Sequence, residues 1–216
     1  MTGRAWDVVA GPYDLLQRAL DPRVLRGTRR WLAGRAIGRT LEVAIGSGLT
    51  LPHYRPEVRL AALDLSTRML AVTGRRAGAL GREVDLRRGD ARRLPWPDAS
   101  VDTVLCVFGL CVVPDQRQAL TEMGRVLRPG GTLLLADHVV ATRRWVRGLQ
   151  AVLDATHLPL PGEHWRRRPL PDVLDLGFEI EAHERFLAGV VERLAARRPT
   201  DDPLTPPAAA GRGGAG

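Results

Sequence analysis

The chain has no lysine and no asparagine. All of its basic residues are arginine: 32 against 24 acidic residues, for a net charge of +8 and a calculated pI near 11.0. A balance this basic invites a nucleic-acid reading. The arginines are scattered, however, and aromatic residues make up only 5% of the chain, so no stacking platform lies within a basic groove. Abundant Ala, Gly, Arg and Pro beside those two absences point to a GC-rich genome, and no nucleic-acid partner is expected. Cysteine is scarce: Cys106 and Cys111, both among apolar neighbours. They exclude a disulfide framework, and no matching Cys or His pair lies near them in sequence, so no metal is expected. Long apolar runs are lacking. The longest uncharged stretch, Thr103 to Pro114, falls short of the about 20 residues that cross a bilayer. Met1 to Leu16 carries Arg4, Asp7 and Asp14 and has no apolar signal core. A cytoplasmic protein is expected, with at most a peripheral membrane contact.

What is present begins with length: 216 residues suit one domain with a sizeable core. Thr40 to Ile45 is an apolar run broken only by Glu42, which reads as a buried parallel strand. Gly46-Ser47-Gly48 follows at once, and Leu49-Thr50-Leu51 can open a helix. Such a turn brings backbone close to a ligand because glycine leaves no Cβ in the way. Arg59 to Leu63 is a second apolar run, and it ends in Asp64, 18 residues after Gly46. A doubly wound nucleotide fold places its ribose-binding carboxylate at about that distance.

Five motifs then occur in order over residues 40 to 140. They are Glu42-x-Ala44-x-Gly46-x-Gly48; Leu63-Asp64-Leu65-Ser66 with Met69-Leu70; Gly89-Asp90-Ala91 with Leu94-Pro95; Pro97 to Asp102; and Leu127-Arg128-Pro129-Gly130-Gly131. Together they resemble the class I S-adenosylmethionine (SAM)-dependent methyltransferases. Leu41 to Tyr54, Cys106-x4-Cys111 and Asp137-His138 are most similar to the branch of phosphatidylethanolamine N-methyltransferases and thiol methyltransferases. Two positions depart from that branch: Ala44 stands where glycine is usual and Asp137 where glutamate is usual. Ala44 is expected to be tolerated.

The resemblance implies an α/β, Rossmann-like, doubly wound and mostly parallel seven-stranded sheet with helices on both faces. An N-terminal helical cap is expected over residues 1–38, the SAM-binding domain over 39–198, a lid or substrate insertion after strand five over 141–170, and a disordered tail over 199–216. Val24 to Ala36 reads as a helix, and Tyr13-Asp14 either closes over the cofactor or packs within the cap. Phe186 to Ala196 suits a helix by pattern, while the family expects a last antiparallel strand.

By resemblance the cofactor-binding positions are Glu42, Ala44, Gly46, Ser47, Gly48, Asp64, Leu65, Asp90, Ala91, Cys106 and Val107. Glu42 would hold the ammonium, Asp64 the ribose, and Asp90 with the Ala91 backbone the adenine. For Asp90 the competing reading is a solvated turn residue; Asp102 reads as structural. His138, beyond strand five, and His164, in the lid, are candidate general bases, because imidazole titrates near neutrality. Either could instead be a hydrogen-bonded structural histidine. The expected function is methyl transfer from SAM to a small-molecule or lipid acceptor. A non-catalytic SAM-binding module and a nucleic-acid methyltransferase are the alternatives; the Asn/Asp-Pro-Pro-aromatic tetrad of the latter is missing at Val112 to Asp115.

Overall fold

Each apolar run becomes a strand, and alternate side chains along each strand face opposite layers. In the computed structural model, residues 25, 27–156 and 167–201 are described. Tyr13-Asp14, the rest of the cap before residue 25, His164 with Glu163 and Trp165 in the lid, and the tail from 202 onward lie outside the described residues. The strands are β1 (Arg39–Val43), β2 (Arg59–Asp64), β3 (Val84–Arg88), β4 (Val101–Val107), β5 (Leu127–His138), β6 (Glu179–Phe186) and β7 (Val191–Arg197). They form one sheet in the order β3-β2-β1-β4-β5-β7-β6. Pairings from β3 to β5 are parallel, and β7 runs antiparallel to both β5 and β6.

Along β4, Val104 and Cys106 enter one apolar layer, while Leu105 and Val107 enter the other. Leu133 and Leu135 of β5 divide from Leu134 and Ala136 in the same way. Helix α1 (Thr28–Ala33) and α2 (Thr67–Ala79) supply Leu32, Ala33 and Ala77 to the layer of Leu105. Helix α3 (Gln116–Val126) and α5 (Pro169–Asp175) supply Leu120, Met123 and Val173 to the layer of Val104. The helices therefore cover both faces, as a mostly parallel sheet requires. Helix α4 (Arg144–Thr156) follows β5. Among the described residues, no helix is long and apolar enough to cross a membrane.

Several local expectations shift. The first helix is shorter than Val24 to Ala36: Gly27, at φ 59°, marks its start and Gly34 follows its last residue. The helix that Leu49-Thr50-Leu51 can open is a single 3-10 turn at Leu51–His53. The sixth strand runs over Glu179–Phe186. The ambiguous stretch after Phe186 becomes a turn and then β7, because a seven-residue ladder from Thr132↔Arg197 to His138↔Val191 satisfies its backbone. Tertiary pairing overrides helical periodicity there. At the edge of the sheet away from the strands' carboxyl ends, Asp102 accepts from the Arg39 amide at 2.6 Å and pairs with Arg128 at 2.9 Å, as suits a structural residue.

Candidate active site

Strands β1 and β4 are neighbours, and the chain leaves them toward opposite halves of the sheet. A crevice opens at that point, beyond the carboxyl ends of the strands, where ligands of open α/β sheets bind. One cleft there is lined by Glu42, Ala44, Gly46, Ser47, Asp64, Leu65, Asp90, Ala91 and Val107. Nine of the eleven positions expected to bind a cofactor thus share one cavity. Gly48 and Cys106 do not line it. A Cβ at Gly48 would lie 3.0 Å from Thr73 Cγ2, so this glycine lets the turn approach α2. Cys106 points into the core at 1% exposure, and burial pushes its thiol well above the ordinary range, leaving it inert.

The turn after β1 is held by its neighbours. Asp64, at the end of β2, accepts from the Gly46 amide at 2.8 Å and from the Ser66 amide at 2.9 Å. Thr73 of α2 donates to the Gly46 carbonyl at 2.6 Å, and Arg76 donates to the Ser47 carbonyl. Ser66 caps α2 by accepting from the Met69 amide at 3.1 Å. Ala44 sits at φ 56°, a left-handed conformation that costs a non-glycine residue about 1–2 kcal/mol. The methyl group fits only because residue 109 is glycine: a Cβ on Gly109 would lie 2.7 Å from Ala44 Cβ and 3.0 Å from Cys106 Sγ.

Two opposite charges face the cleft at its inner end. Glu42 is 1% exposed and accepts from the Tyr54 hydroxyl at 2.8 Å. Burial raises its pKa from 4.5 to about 7, against the lowering effects of Tyr54, Thr50 and Arg29. Arg29 of α1 also lines the cleft, nearly buried, with its guanidinium carbon 5.3 Å from the centre of the Phe108 ring. Sequence reasoning missed Arg29, because one arginine among 32 basic residues in a helix carries no spacing signal. It also missed Arg92, which meets Asp90 at 2.6 Å and keeps that half-exposed carboxyl below its usual range. Both oxygens of that carboxyl accept from Arg92.

His138 lies outside the cleft lining and stacks on Phe108 with ring centres 4.8 Å apart. Burial, with some contribution from Arg29, lowers its pKa to about 4, so the ring is neutral at pH 7 and a weak base. Its neighbour Asp137 accepts from the Cys111 amide at 2.9 Å and from the His138 amide at 2.7 Å, and burial raises its pKa to about 6. Ligand-type atoms of Cys111, Asp137 and His138 lie within 4.8 Å of one another, a grouping that the sequence did not suggest. The two backbone hydrogen bonds make Asp137 a tie between the turn after β4 and the end of β5.

Residues 41–135 match the methyltransferase-domain model. The chain is 42% identical over 136 residues to the demethylmenaquinone methyltransferase of Deinococcus radiodurans, covering 60% of this chain and 56% of that protein. It is 41% identical over 103 residues to the phosphatidylethanolamine N-methyltransferase of Cereibacter sphaeroides, covering 47% of this chain and 51% of that protein. The chain thus spans little more than half the length of these two relatives. A longer match, 30% identical over 212 residues, covers 85% of this chain and 83% of a ubiquinone/menaquinone biosynthesis C-methyltransferase of Pseudomonas syringae. In fold the chain is similar to a SAM-dependent methyltransferase of Thermotoga maritima, with a TM-score of 0.68 at 19% identity over 90% of this chain and 99% of that one. With the sheet order, the cleft at its switch point and a relative matched over most of its length, the chain belongs to the methyltransferase-domain family.

Proposed function

We propose that this chain binds SAM in the cleft and transfers its methyl group to a small lipophilic acceptor. The observation that carries the reading is the convergence of nine expected cofactor positions on one cavity, with Glu42 and Arg29 facing its inner end. The donor set fits the group. Glu42 takes the ammonium and Arg29 the carboxylate of the methionine end. Asp64 takes the ribose hydroxyls, and Asp90 with the Ala91 amide takes the adenine edge. Leu65 and Met69 supply apolar surface for the ring, and the turn from Gly46 to Ser47 lets backbone approach.

SAM supplies an activated methyl on a sulfonium when bound. The chain has to hold the acceptor in line with it, exclude water and, where needed, accept a proton. Phe108, with Arg29 and His138 against its ring, forms the wall at this end. A histidine with a pKa of about 4 contributes little as a base at pH 7, so His138 serves to shape the wall. That favours an acceptor that ionises readily or carries an activated carbon, such as a quinol or thiol. That these relatives are named for a quinone and a phospholipid supports a lipophilic class.

The test is transfer of labelled methyl by the purified protein across thiols, quinols, phenols and amino lipids. Label entering one lipophilic class is expected. Cofactor binding with no transfer to any acceptor would replace this reading with a non-catalytic SAM-binding module.

A further inference from the structure

The apolar face of α4 is turned outward. Trp145, Leu149 and Val152 recur at spacings of four and three, so they form one stripe, and they are 71%, 54% and 59% exposed. The opposite side of the same helix is anchored. Gln150 is buried, accepts from the Ala141 amide at 2.8 Å and donates to the Val139 carbonyl at 2.9 Å. These bonds fix the helix just past the end of β5, so the stripe is held at the surface beside the ligand edge of the sheet.

A second exposed apolar side chain lies in the hairpin to which the start of this segment is tied. The β6–β7 hairpin turns through Leu187 and Ala188, both with left-handed φ, and Leu187 is 44% exposed. Thr142, three residues before Trp145, holds that turn: its amide and its hydroxyl both donate to the Ala188 carbonyl, at 3.0 and 2.8 Å. Two elements joined through Thr142 thus each expose large apolar residues.

The charge around the stripe is mostly basic, with Asp154 the one acidic residue of α4. From Ala141 to Val152 the only charged residues are Arg143, Arg144 and Arg147, all exposed. A helix with tryptophan and leucine on one side and arginine beside them suits the interface of a bilayer, where apolar side chains enter the acyl boundary and guanidinium groups meet anionic headgroups. We propose that α4, together with Leu187, docks this chain on the surface of an anionic lipid membrane. The proposal goes beyond methyl transfer. It gives a lipophilic acceptor a route from the bilayer to the ligand edge, and the docking itself is independent of which atom is methylated.

Co-sedimentation of the full chain with phosphatidylcholine vesicles, with and without phosphatidylglycerol, tests it. The wild type is expected to bind the anionic vesicles at least about tenfold more strongly than the neutral ones, since each arginine near the surface adds about 1 kcal/mol. The double variant Trp145→Asp/Leu149→Asp is expected to lose about 30-fold or more in vesicle binding. Calorimetric affinity for SAM and thermal unfolding should remain at wild-type values, which separates loss of docking from failure of the pocket. In a second variant, Arg144→Glu/Arg147→Glu, the preference for anionic over neutral vesicles should disappear. A wild type that stays in the supernatant with both vesicle types would overturn the proposal, as would a double variant that sediments like the wild type. A wild-type dimer that the double variant converts to monomer would also overturn it, assigning the stripe to a second copy of the chain.

Discussion

The two halves of the sheet use buried charge in different ways. On the β1–β2–β4 side, the carboxylates of Glu42 and Asp64 line a cleft, and their partners are a tyrosine hydroxyl and backbone amides. On the β6–β7 side, Glu192 is 2% exposed and is ringed by Arg168 at 3.0 Å, His183 at 3.1 Å and Arg185 at 3.6 Å. The first arrangement leaves charged groups aimed at space that a ligand can fill. The second spends them on one another and fixes the hairpin against the segment entering α5. Buried charge therefore lines an open cleft in one half of this molecule and forms a structural knot in the other.

The largest expected effect breaks that knot. Glu192→Ala leaves two arginines and a histidine around an absent carboxylate, and loss of one partner from a buried ion cluster costs about 3–5 kcal/mol. Urea unfolding should show that loss, while the affinity of the folded fraction for SAM stays unchanged. If SAM affinity fell along with stability, the two halves would be coupled rather than distinct.

Asp64→Ala is the matching change on the ligand side. Under the proposed binding of SAM, loss of this carboxylate should weaken affinity about 30- to 100-fold, on the scale of charge-assisted hydrogen bonds. The amides of Gly46 and Ser66 are bound to this carboxylate, so unfolding should also show a loss of about 1–3 kcal/mol. An unchanged dissociation constant would remove Asp64 from the cofactor site and leave it only the structural role.

Glu42 sharpens the comparison through pH. Its folded pKa, about 7, lies above the ordinary 4.5, so the folded chain holds a proton that the unfolded chain releases. The stability from this group is therefore complete below about pH 4.5 and is lost as pH rises through about 7. An ammonium ligand favours the ionised form, so SAM affinity should increase about tenfold between about pH 6 and pH 8. Glu42→Gln should flatten that dependence and weaken binding at the upper end. A pH dependence that survives the substitution would assign it to another group.

The smallest effect concerns Ala44. Ala44→Gly removes the strain of a left-handed alanine, partly offset by the entropy of glycine, for a net gain of about 0.5–1 kcal/mol in thermal unfolding. A loss of stability would mean that the methyl group contributes more by packing against Gly109 than the backbone conformation costs.

The cofactor half was legible in the sequence because its parts are local. The glycine turn follows its strand directly, Ser66 caps the helix that it precedes, and Asp64 and Asp90 end successive strands. The other half depends on pairs far apart in sequence. Nothing near Arg29 announces that α1 turns it toward Glu42, and nothing near Asp137 announces that Cys111 lies beside it across 26 residues. The hairpin after Phe186 was ambiguous for the same reason, since its strand identity is set by β5. Gly48 has the spacing of a ligand-facing glycine but meets α2, and spacing cannot tell a turn that meets a ligand from one that meets a helix.

Titration calorimetry of the full chain with SAM, S-adenosylhomocysteine and NAD tests the central claim most directly. The cleft built from Glu42, Arg29, Asp64 and Asp90 predicts saturable one-site binding of SAM and S-adenosylhomocysteine and no binding of NAD. Tight binding of NAD with none of SAM would contradict it.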